Sequence, residues 1–391
     1  MQRPWRTILF LWLVGVLAAA QLAKFSTIAP LLRARFALSL PETGLLISLL
    51  EVGGATLGFV AGLALGWISF RRSLIGGMAI LAAMSLLEAV TTDPATLFAA
   101  RAAEGIGYLL VVIAAPTAIA AVADDRNRPH ALALWSTFVP VGIAIGSAVT
   151  GSGAASLGLD GILFLWAILL ALAIAPASRL HLGHGGTRRI VLPAPAAWIS
   201  TFAFGIYTLF LCALTMLLPS FLTEIHGATL GEAGLVASLA SLSALPASGL
   251  AVLLIRNGSL DARRLLLIAV PALAVTALLV PPAFAASTEL AATSAVVVAA
   301  VLVSGLVPPL MFARLPVLAG ATSPHDPRIA TANGLLTQFG AGGALLGPPL
   351  GGLIVERWGW TALGGAVAAL ALLMLGLLGL SEGAAKRCLP K

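Results

Sequence analysis

Residues 39–45 read SLPETGL, and the chain returns to nearly the same pattern at residues 229–235, which read TLGEAGL. A serine follows each copy at the same distance, Ser48 in the first and Ser238 in the second. The spacing between the copies is about half of the 391-residue chain. A repeat at that spacing indicates that one structural unit occurs twice.

Two further pairs of motifs occur in the same order in both halves. Arg71-Arg72 is matched by Arg263-Arg264 after the apolar run that follows each copy. The pattern Phe-x3-Gly-x3-Gly begins at Phe138 and again at Phe339. One chance match is easy in a sequence of low complexity, but three in the same order predict a unit duplicated in parallel.

Composition shows what kind of unit this is. Charged residues make up 9% of the chain, against about 25% in an average soluble protein, and hydrophobic residues make up 60%. A soluble fold with so few charges would expose large apolar patches, whereas a lipid-facing surface needs no charges. At about 20 residues per crossing helix, the chain has room for twelve spans. Apolar runs lie at roughly 7–32, 43–69, 73–91, 95–122, 131–154, 158–176, 196–222, 231–255, 262–282, 290–318, 329–353 and 360–380.

These runs must be helical, because a backbone in hydrocarbon has to satisfy its own hydrogen bonds and the runs lack the alternation of barrel strands. We therefore expect an all-α integral membrane protein with twelve transmembrane helices in two six-helix bundles related by a pseudo-two-fold axis. The expected bundles are residues 1–176 and 196–391, the second ending in a short cytoplasmic tail. Residues 177–195 would form a cytoplasmic linker.

The basic residues indicate how the chain lies in the membrane. If the N-terminus is cytoplasmic, 16 of the 22 Lys and Arg residues fall in cytoplasmic segments and only Arg33, Arg35 and Arg357 fall outside. This asymmetry predicts cytoplasmic termini in the inner membrane of a bacterium. The basic residues do not form a stripe with interleaved aromatic residues, so the net charge of +7 does not indicate a nucleic-acid partner.

The chain resembles the major facilitator superfamily (MFS) over essentially its whole length. The resemblance rests on the 6+6 layout, the paired arginines, Arg101-x3-Gly105-x-Gly107 in predicted helix 4, and GPPLGG at 347–352 in predicted helix 11. It implies secondary transport by alternating access between two bundles. The loop after predicted helix 2 departs from the family, because Gly66 and Ser69 stand where an acidic residue and a glycine are usual. Leu134-Trp135-Ser136 suggests a further likeness, to cyanate-transporter-type members.

Glycines in predicted helix 2 recur every four residues, at Gly54, Gly58, Gly62 and Gly66. They draw one ridge along the helix, and such a ridge lets two membrane helices approach closely. The ridge is consistent with static packing and with sliding of one helix on another.

Charges inside the predicted helices are the first candidates for function, because each one costs several kcal/mol unless it is paired or hydrated. The helical rise places four of them about 9–13 Å below the outer boundary. They are Lys24, Glu51, Arg101 and Glu104. Two interpretations stay open. The four form an ion-pair network that holds helices 1, 2 and 4 together, or they line a central cavity where Lys24 and Arg101 attract an anionic group and a glutamate couples to protons.

The second half offers Arg314 in predicted helix 10, just after Pro308-Pro309, which should bend or break that helix. Arg314 is either a ligand for the substrate or an anchor at the membrane interface. Neutral hydrogen bonds to a substrate, or simple packing, are the alternatives for four other side chains. They are Tyr108, Tyr207, Asn333 and Gln338.

We expect a monomer in the lipid bilayer that moves a small organic solute, anionic if the buried cations face it, coupled to protons or another ion. The alternative is a multidrug or metabolite efflux transporter; a non-transporting receptor or a membrane enzyme is more remote. His181-x2-His184 lacks further ligands for a metal. The sequence contains no Gly-x4-Gly-Lys, Gly-x-Ser-x-Gly or His-Glu-x2-His motif, so neither cofactor nor enzymatic activity is predicted.

Overall fold

The computed structural model describes residues 3–64, 69–124, 126–180, 182, 191–255, 260–285, 289–323 and 326–388. Most of the predicted linker, including His181 and His184, lies outside these residues, as does Gly66. The described chain folds into twelve crossing helices, several of them in two segments. They are α1 (Arg3–Thr27 and Ala29–Phe36), α2 (Leu40–Ser48, a 3-10 turn Leu49–Glu51, and Val52–Ala64), α3 (Phe70–Val90), α4 (Pro94–Val122), α5 and α6 (Arg128–Trp135, then Phe138–Ser178 with a reversal at Gly158), α7 (Pro195–Met216 and Leu218–His226), α8 (Leu230–Ile255), α9 (Ala262–Ala283), α10 (Leu290–Ser304 and Val307–Leu318), α11 (Pro327–Trp358) and α12 (Trp360–Cys388).

The helices account for all twelve predicted crossings. Ten described helical stretches are long and apolar enough to span a membrane, and one of them, His130–Ser178, holds both α5 and α6. The remaining crossing is α11, which contains many small and polar residues. An apolar core around Phe70, Val111 and Trp135 fills the first six-helix bundle. A second core, around Phe210 and Phe284, fills the other bundle.

Glycine supplies the tight reversal between α5 and α6. Gly158 has φ 69° and ψ −176°, a conformation that L side chains rarely adopt. The two arms then run side by side, because the Trp166 indole donates a hydrogen bond of 2.9 Å to the Thr150 hydroxyl, 16 residues away. The turn that the sequence placed between 154 and 158 is therefore formed by one residue.

The repeated stretches that divide the sequence are the starts of α2 and α8. In α2 the Ser39 hydroxyl accepts from the Glu42 backbone N–H, while the Glu42 carboxylate accepts from the Ser39 backbone N–H at 2.8 Å. Thr229 and Glu232 form the same reciprocal pair at the start of α8. Each pair satisfies backbone donors that the first helical turn would leave free, which explains why the pattern begins a helix in both halves.

Proline breaks the first helix of each bundle at equivalent places. α1 is interrupted at Ile28 and α7 at Leu217, in each case two residues before a proline. Proline cannot donate to the preceding turn and fits the first turn of a new helix. The expected break in α10 is confirmed, since its second segment begins at Val307 with Pro308 in its first turn.

The glycines of the Phe-x3-Gly-x3-Gly pattern have the same packing role inside each bundle. Gly142 and Gly146 of α5 face the backbone of α1, where an added Cβ would lie 2.6 Å from a carbonyl oxygen. Gly343 and Gly347 of α11 face the backbone of α7 even more closely. Close packing of this kind holds helices together in a membrane, where the hydrophobic effect does not favour their association.

The bundles meet through four reciprocal glycine contacts at the end of the molecule opposite the chain termini, which we call the far end. A Cβ on Gly44 of α2 would lie 2.4 Å from the Pro348 oxygen of α11, and one on Gly352 of α11 would lie 2.7 Å from the Leu40 oxygen of α2. The α5–α8 pair has the same two contacts, Gly234 on the Ser147 oxygen at 2.5 Å and Gly151 on the Leu230 oxygen at 2.5 Å. The backbones of the two bundles are therefore in direct contact at the far end, and we call this arrangement closed at the far end.

Candidate transport site

A fully buried ion cluster links α1, α3 and α4 in the first bundle. The Lys24 ammonium lies 2.6 Å from Oε2 of Glu88 and 3.1 Å from Oε1 of Glu104, and it donates to the Ser85 hydroxyl at 2.7 Å. These charged side chains have no exposed surface. The two carboxylates and the Ser85 hydroxyl together satisfy all three donors of the ammonium.

Arg101 completes this cluster from the next turn of α4. Its guanidinium donates to Oε2 of Glu104 at 2.5 Å and to backbone oxygens of α1 and α2. These acceptors are Gln21 at 2.8 Å, Ile47 at 3.0 Å and Leu46 at 3.2 Å. Two of these carbonyls lie directly before the 3-10 turn of α2, so the buried arginine holds the broken part of α2 against α4.

The structure thus brings together three of the four charges that the sequence placed at one depth. Lys24, Arg101 and Glu104 are in contact, but Glu88 of α3 takes the place expected for Glu51. The charges of the cluster sum to zero. Sequence reasoning missed Glu88 because it lies near the end of the third apolar run, although a glutamate inside such a run was the available signal. Its second oxygen, Oε1, is buried without a hydrogen-bond partner.

Glu51 lies apart from the cluster, in the 3-10 turn that interrupts α2. It is partly exposed, and within the described part of the chain it forms no hydrogen bond or ion pair. Its Oε2 lies 3.6 Å from the position a Cβ of Gly54 would take, and the Ala341 Cβ of α11 lies 2.8 Å from the same position. The carboxylate also lies close enough to the Cys212 thiol of α7 for their charges to interact. Glu51 is therefore at the interface of the two bundles.

A cavity of about 150 Å³ lies between the bundles, bordered by α1, α5, α7, α8 and α10. Its surface is mainly apolar, and four hydroxyl-bearing side chains line it. These are Ser26, Ser147, Thr215 and Ser241. Two of the hydroxyls also join the bundles, because Ser26 donates to the Met216 oxygen at 2.6 Å and Ser241 to the Pro140 oxygen at 3.0 Å.

The glycine ridge of α2 faces α11, as close packing requires. Gly58 lies against the Gln338 backbone, and the Gln338 side chain accepts a hydrogen bond of 3.3 Å from the Phe59 N–H. Gln338 therefore ties the two bundles together. The surroundings of Gly62 and Gly66 lie outside the described part of the structure.

The other neutral candidates lie at different depths. Tyr108 is buried in the first bundle, near enough to Glu51 for electrostatic interaction. Tyr207 is buried in the second bundle, where its hydroxyl bonds with Ser304 and its ring contacts Phe204 and Phe210. Asn333 is exposed near the start of α11. These three side chains do not converge on the cavity between the bundles, whose lining contains none of them.

Arg314 of α10 is held by an acid that the sequence had placed beyond the membrane. Its guanidinium forms a two-pronged ion pair with Glu382, at 2.9 Å and 2.8 Å, and donates to the Leu260 oxygen at 3.2 Å. α12 continues to Cys388 rather than ending near residue 380, so Glu382 is a buried helical residue. This geometry supports the anchoring interpretation of Arg314 over that of a substrate ligand.

Comparison with known proteins identifies the architecture. A family model described as Major Facilitator Superfamily matches residues 11–316 and 194–390. The uncharacterized MFS-type transporter EfpA, in two strains of Mycobacterium tuberculosis, is 31% identical over 144 residues. That match covers 35% of this chain and only 26% of the relative, so this chain spans about a quarter of its length.

Two crystal structures of a bacterial homologue of the human lysosomal transporter Spinster have the same fold. The inward-facing, unoccupied form superposes with a TM-score of 0.75 at 14% identity, over 99% of this chain and 98% of that one. The inward-facing, occupied form gives a TM-score of 0.73 at 17% identity, over 100% and 98% of the chains.

Proposed function

This chain belongs to the Major Facilitator Superfamily, and we propose that it moves a small organic solute across the membrane in exchange for, or together with, protons that bind Glu51. The family is one of secondary transporters. The finer proposal, that protons drive the cycle, is carried by one observation: Glu51 is a partly exposed carboxylate without a partner at the bundle interface.

The position of Glu51 suits proton exchange. A carboxylate charge at this depth without an ion-pair or hydrogen-bond partner is costly, and taking up a proton removes the cost. Release of this proton becomes favourable once water from the opposite side of the membrane reaches the carboxylate. The 3-10 turn places Glu51 where α2 meets α11, and these helices must move relative to each other when the bundles rock. Opening and closing of this interface would therefore change the solvation of Glu51.

The buried cluster supports a structural role for Lys24 and Arg101. An anionic solute was expected only if these cations faced it, and here each is occupied by carboxylates and carbonyls with no exposed surface. Binding an anion there would require breaking those ion pairs. The accessible charge at the interface is instead negative. These features favour the alternative of an apolar or cationic solute, as in an efflux transporter.

The cavity also supports a small and largely apolar solute. An apolar cavity of about 150 Å³ in another protein takes a molecule the size of benzene. The hydroxyls of Ser26, Thr215 and Ser241 already donate to backbone oxygens, so each can accept a hydrogen bond from a polar group of the solute. The cavity lies between the bundles, where a solute would contact both of them.

The direct test measures flux in proteoliposomes under an imposed pH gradient, with Glu51→Gln compared with the unmodified protein. Glu356→Gln is the matched control, because Glu356 is exposed near the end of α11 and loses the same charge. We expect Glu51→Gln to abolish pH-driven uptake or release while solute exchange without a gradient persists. Unchanged pH-driven flux in Glu51→Gln would overturn the assignment, and loss of flux in Glu356→Gln would show that the assay reports damage rather than coupling.

Solute class is tested by thermal shift with a panel of anions, sugars, amino acids and apolar cations. We expect stabilisation by apolar or cationic compounds, with loss of the cationic preference in Glu51→Gln. Stabilisation by one anion that disappears in Lys24→Ala, in protein that otherwise keeps its fold, would restore the anionic alternative.

We propose residues 1–176 and 196–391 as the two moving bundles and 177–195 as their linker, in a monomer with both termini in the bacterial cytoplasm. The excess of basic residues on one side supports this orientation. Reporter fusions to the two ends of the chain test it, because a fusion active only outside the cytoplasm would reverse the assignment.

A further inference from the structure

A groove of about 660 Å³ opens on the lipid-facing surface between α9 and α12, at the end of the molecule that holds the chain termini. Its walls are apolar side chains of α9, including Leu267, which is 63% exposed, and Val270, which is 44% exposed. Gly379 and Gly383 form the opposite wall on α12, and a Cβ at either position would have no other atom within 4 Å. The groove is therefore open along its length because two residues on one side have no side chain.

Two cations border the end of this groove. Arg263 lies in the first turn of α9 and Lys386 near the last turn of α12, and both side chains are exposed. Within the described part of the chain neither forms a hydrogen bond or ion pair. Glu382 also borders the groove, but its charge is matched by Arg314. The net charge facing the groove is therefore positive.

The charged and apolar parts are arranged by depth. At about 1.5 Å of rise per residue, Leu267 and Val270 lie about 6 and 10 Å farther from the chain-termini end than Arg263. Gly383 and Gly379 lie about 4 and 10 Å farther from it than Lys386. A cationic end followed by an apolar channel matches one molecule in the surrounding membrane, a phospholipid with an anionic headgroup.

We propose that this groove binds an anionic phospholipid. Arg263 and Lys386 bind the headgroup phosphate, and one acyl chain lies against Leu267, Val270 and the two glycines. The bound lipid contacts α12 beside Glu382, and so lies next to the buried ion pair that ties α12 to α10. This site is on the lipid-facing surface and is separate from the cavity between the bundles.

The test uses native mass spectrometry of delipidated protein titrated with phosphatidylglycerol, and with phosphatidylcholine of the same acyl chains. We expect tighter binding of phosphatidylglycerol. In Arg263→Gln/Lys386→Gln this binding should weaken about 30-fold, since each cation near an anionic lipid surface contributes about fivefold. The control is Arg71→Gln/Arg72→Gln, because these exposed arginines occupy the equivalent place in the first bundle and should leave the affinity unchanged.

A second pair of variants tests the apolar part. Gly379→Leu fills the groove, whereas Gly376→Leu adds the same side chain one turn away, outside the groove, and neither added Cβ meets another atom within 4 Å. We expect only Gly379→Leu to weaken binding. The proposal would be overturned by equal affinity for the two lipids or by equal effects of the two double variants. It would also be overturned if millimolar inorganic phosphate competed with the lipid while Gly379→Leu had no effect.

Discussion

Replacing Gly234 with alanine should shift the protein away from the conformation closed at the far end. Gly234 of α8 packs on the Ser147 oxygen of α5, across the boundary between the bundles. An alanine Cβ would lie 2.5 Å from that oxygen, and the next nearest atom, the Gly151 Cα, would be 3.1 Å away. The neighbours are backbone atoms, so no side-chain rotation can relieve the overlap.

The size of the effect follows from the distances. An ordinary contact of a Cβ begins at 3.4 Å, so the two helices must separate by about 1 Å at this point. Overpacking of this kind costs about 1–3 kcal/mol. That cost falls on the closed conformation alone, since the helices are apart when the far end is open. The ratio of closed to open molecules should therefore fall about 5- to 150-fold.

The ratio can be measured as a distance between spin labels in lipid nanodiscs. Labels at Ala34 of α1 and Ile225 of α7 report on the far end, because both positions are exposed and the segments that carry them are in contact. Cys212 and Cys388 are first replaced by serine. We expect the short-distance population to decrease in Gly234→Ala. Gly44→Ala, at the equivalent contact with Pro348, should have the same effect.

Gly249→Ala is the matched control. It lies on the same helix and gains the same helix propensity, but its Cβ would meet no atom within 4 Å. An unchanged distance distribution in Gly234→Ala would contradict this prediction. An equal change in Gly249→Ala would also contradict it, because helix propensity rather than the contact would then be responsible.

Two further predictions concern stability. Lys24→Met should destabilise the protein by about 3–5 kcal/mol, because it leaves Glu88 and Glu104 buried beside only one cation. Adding Glu88→Gln should recover part of this loss, as measured by unfolding in detergent. No recovery would contradict the pairing of Lys24 with Glu88. Asp326 caps α11, and hydrogen bonds from the backbone N–H groups of Arg328 and Thr322 hold its pKa below the ordinary value. A folded-state pKa below the unfolded one contributes stability that is present above the unfolded value and lost as pH falls through the lowered one. The difference in melting temperature between the protein and Asp326→Ala should therefore disappear in acid, and a difference that persists would show that the cap acts without its charge.

Much of the fold could be predicted because hydrocarbon restricts what a chain can do. Twelve apolar runs had to be helices, and the repeated stretches at 39–45 and 229–235 proved to be equivalent helix starts with the same capping hydrogen bonds. The break in α10 followed from its prolines. Helix ends were harder to predict, because α12 continues past its last apolar run and so makes Glu382 a buried helical residue.

The candidate site was predicted less completely. Depth along a helix can be estimated from residue number, and it placed Lys24, Arg101 and Glu104 at one level. The direction in which each side chain points depends on local helix geometry. Glu51 lies in the 3-10 turn Leu49–Glu51, where the side-chain directions of a regular α-helix no longer apply, and it faces the other bundle. Glu88 joins the cluster because α3 packs with its carboxylate toward Lys24.

The sequence by itself determined a duplicated, twelve-helix membrane protein with a few charges in its interior, because composition and periodicity are local properties that a bilayer constrains strongly. Only the tertiary structure decided which of those charges neutralise one another and which remains at the interface. Pairing depends on how α1, α3 and α4 are packed and rotated against each other. The closed far end was decided in the same way, since the glycines Gly44, Gly151, Gly234 and Gly352 acquire their role only where the backbone of the opposite bundle meets them.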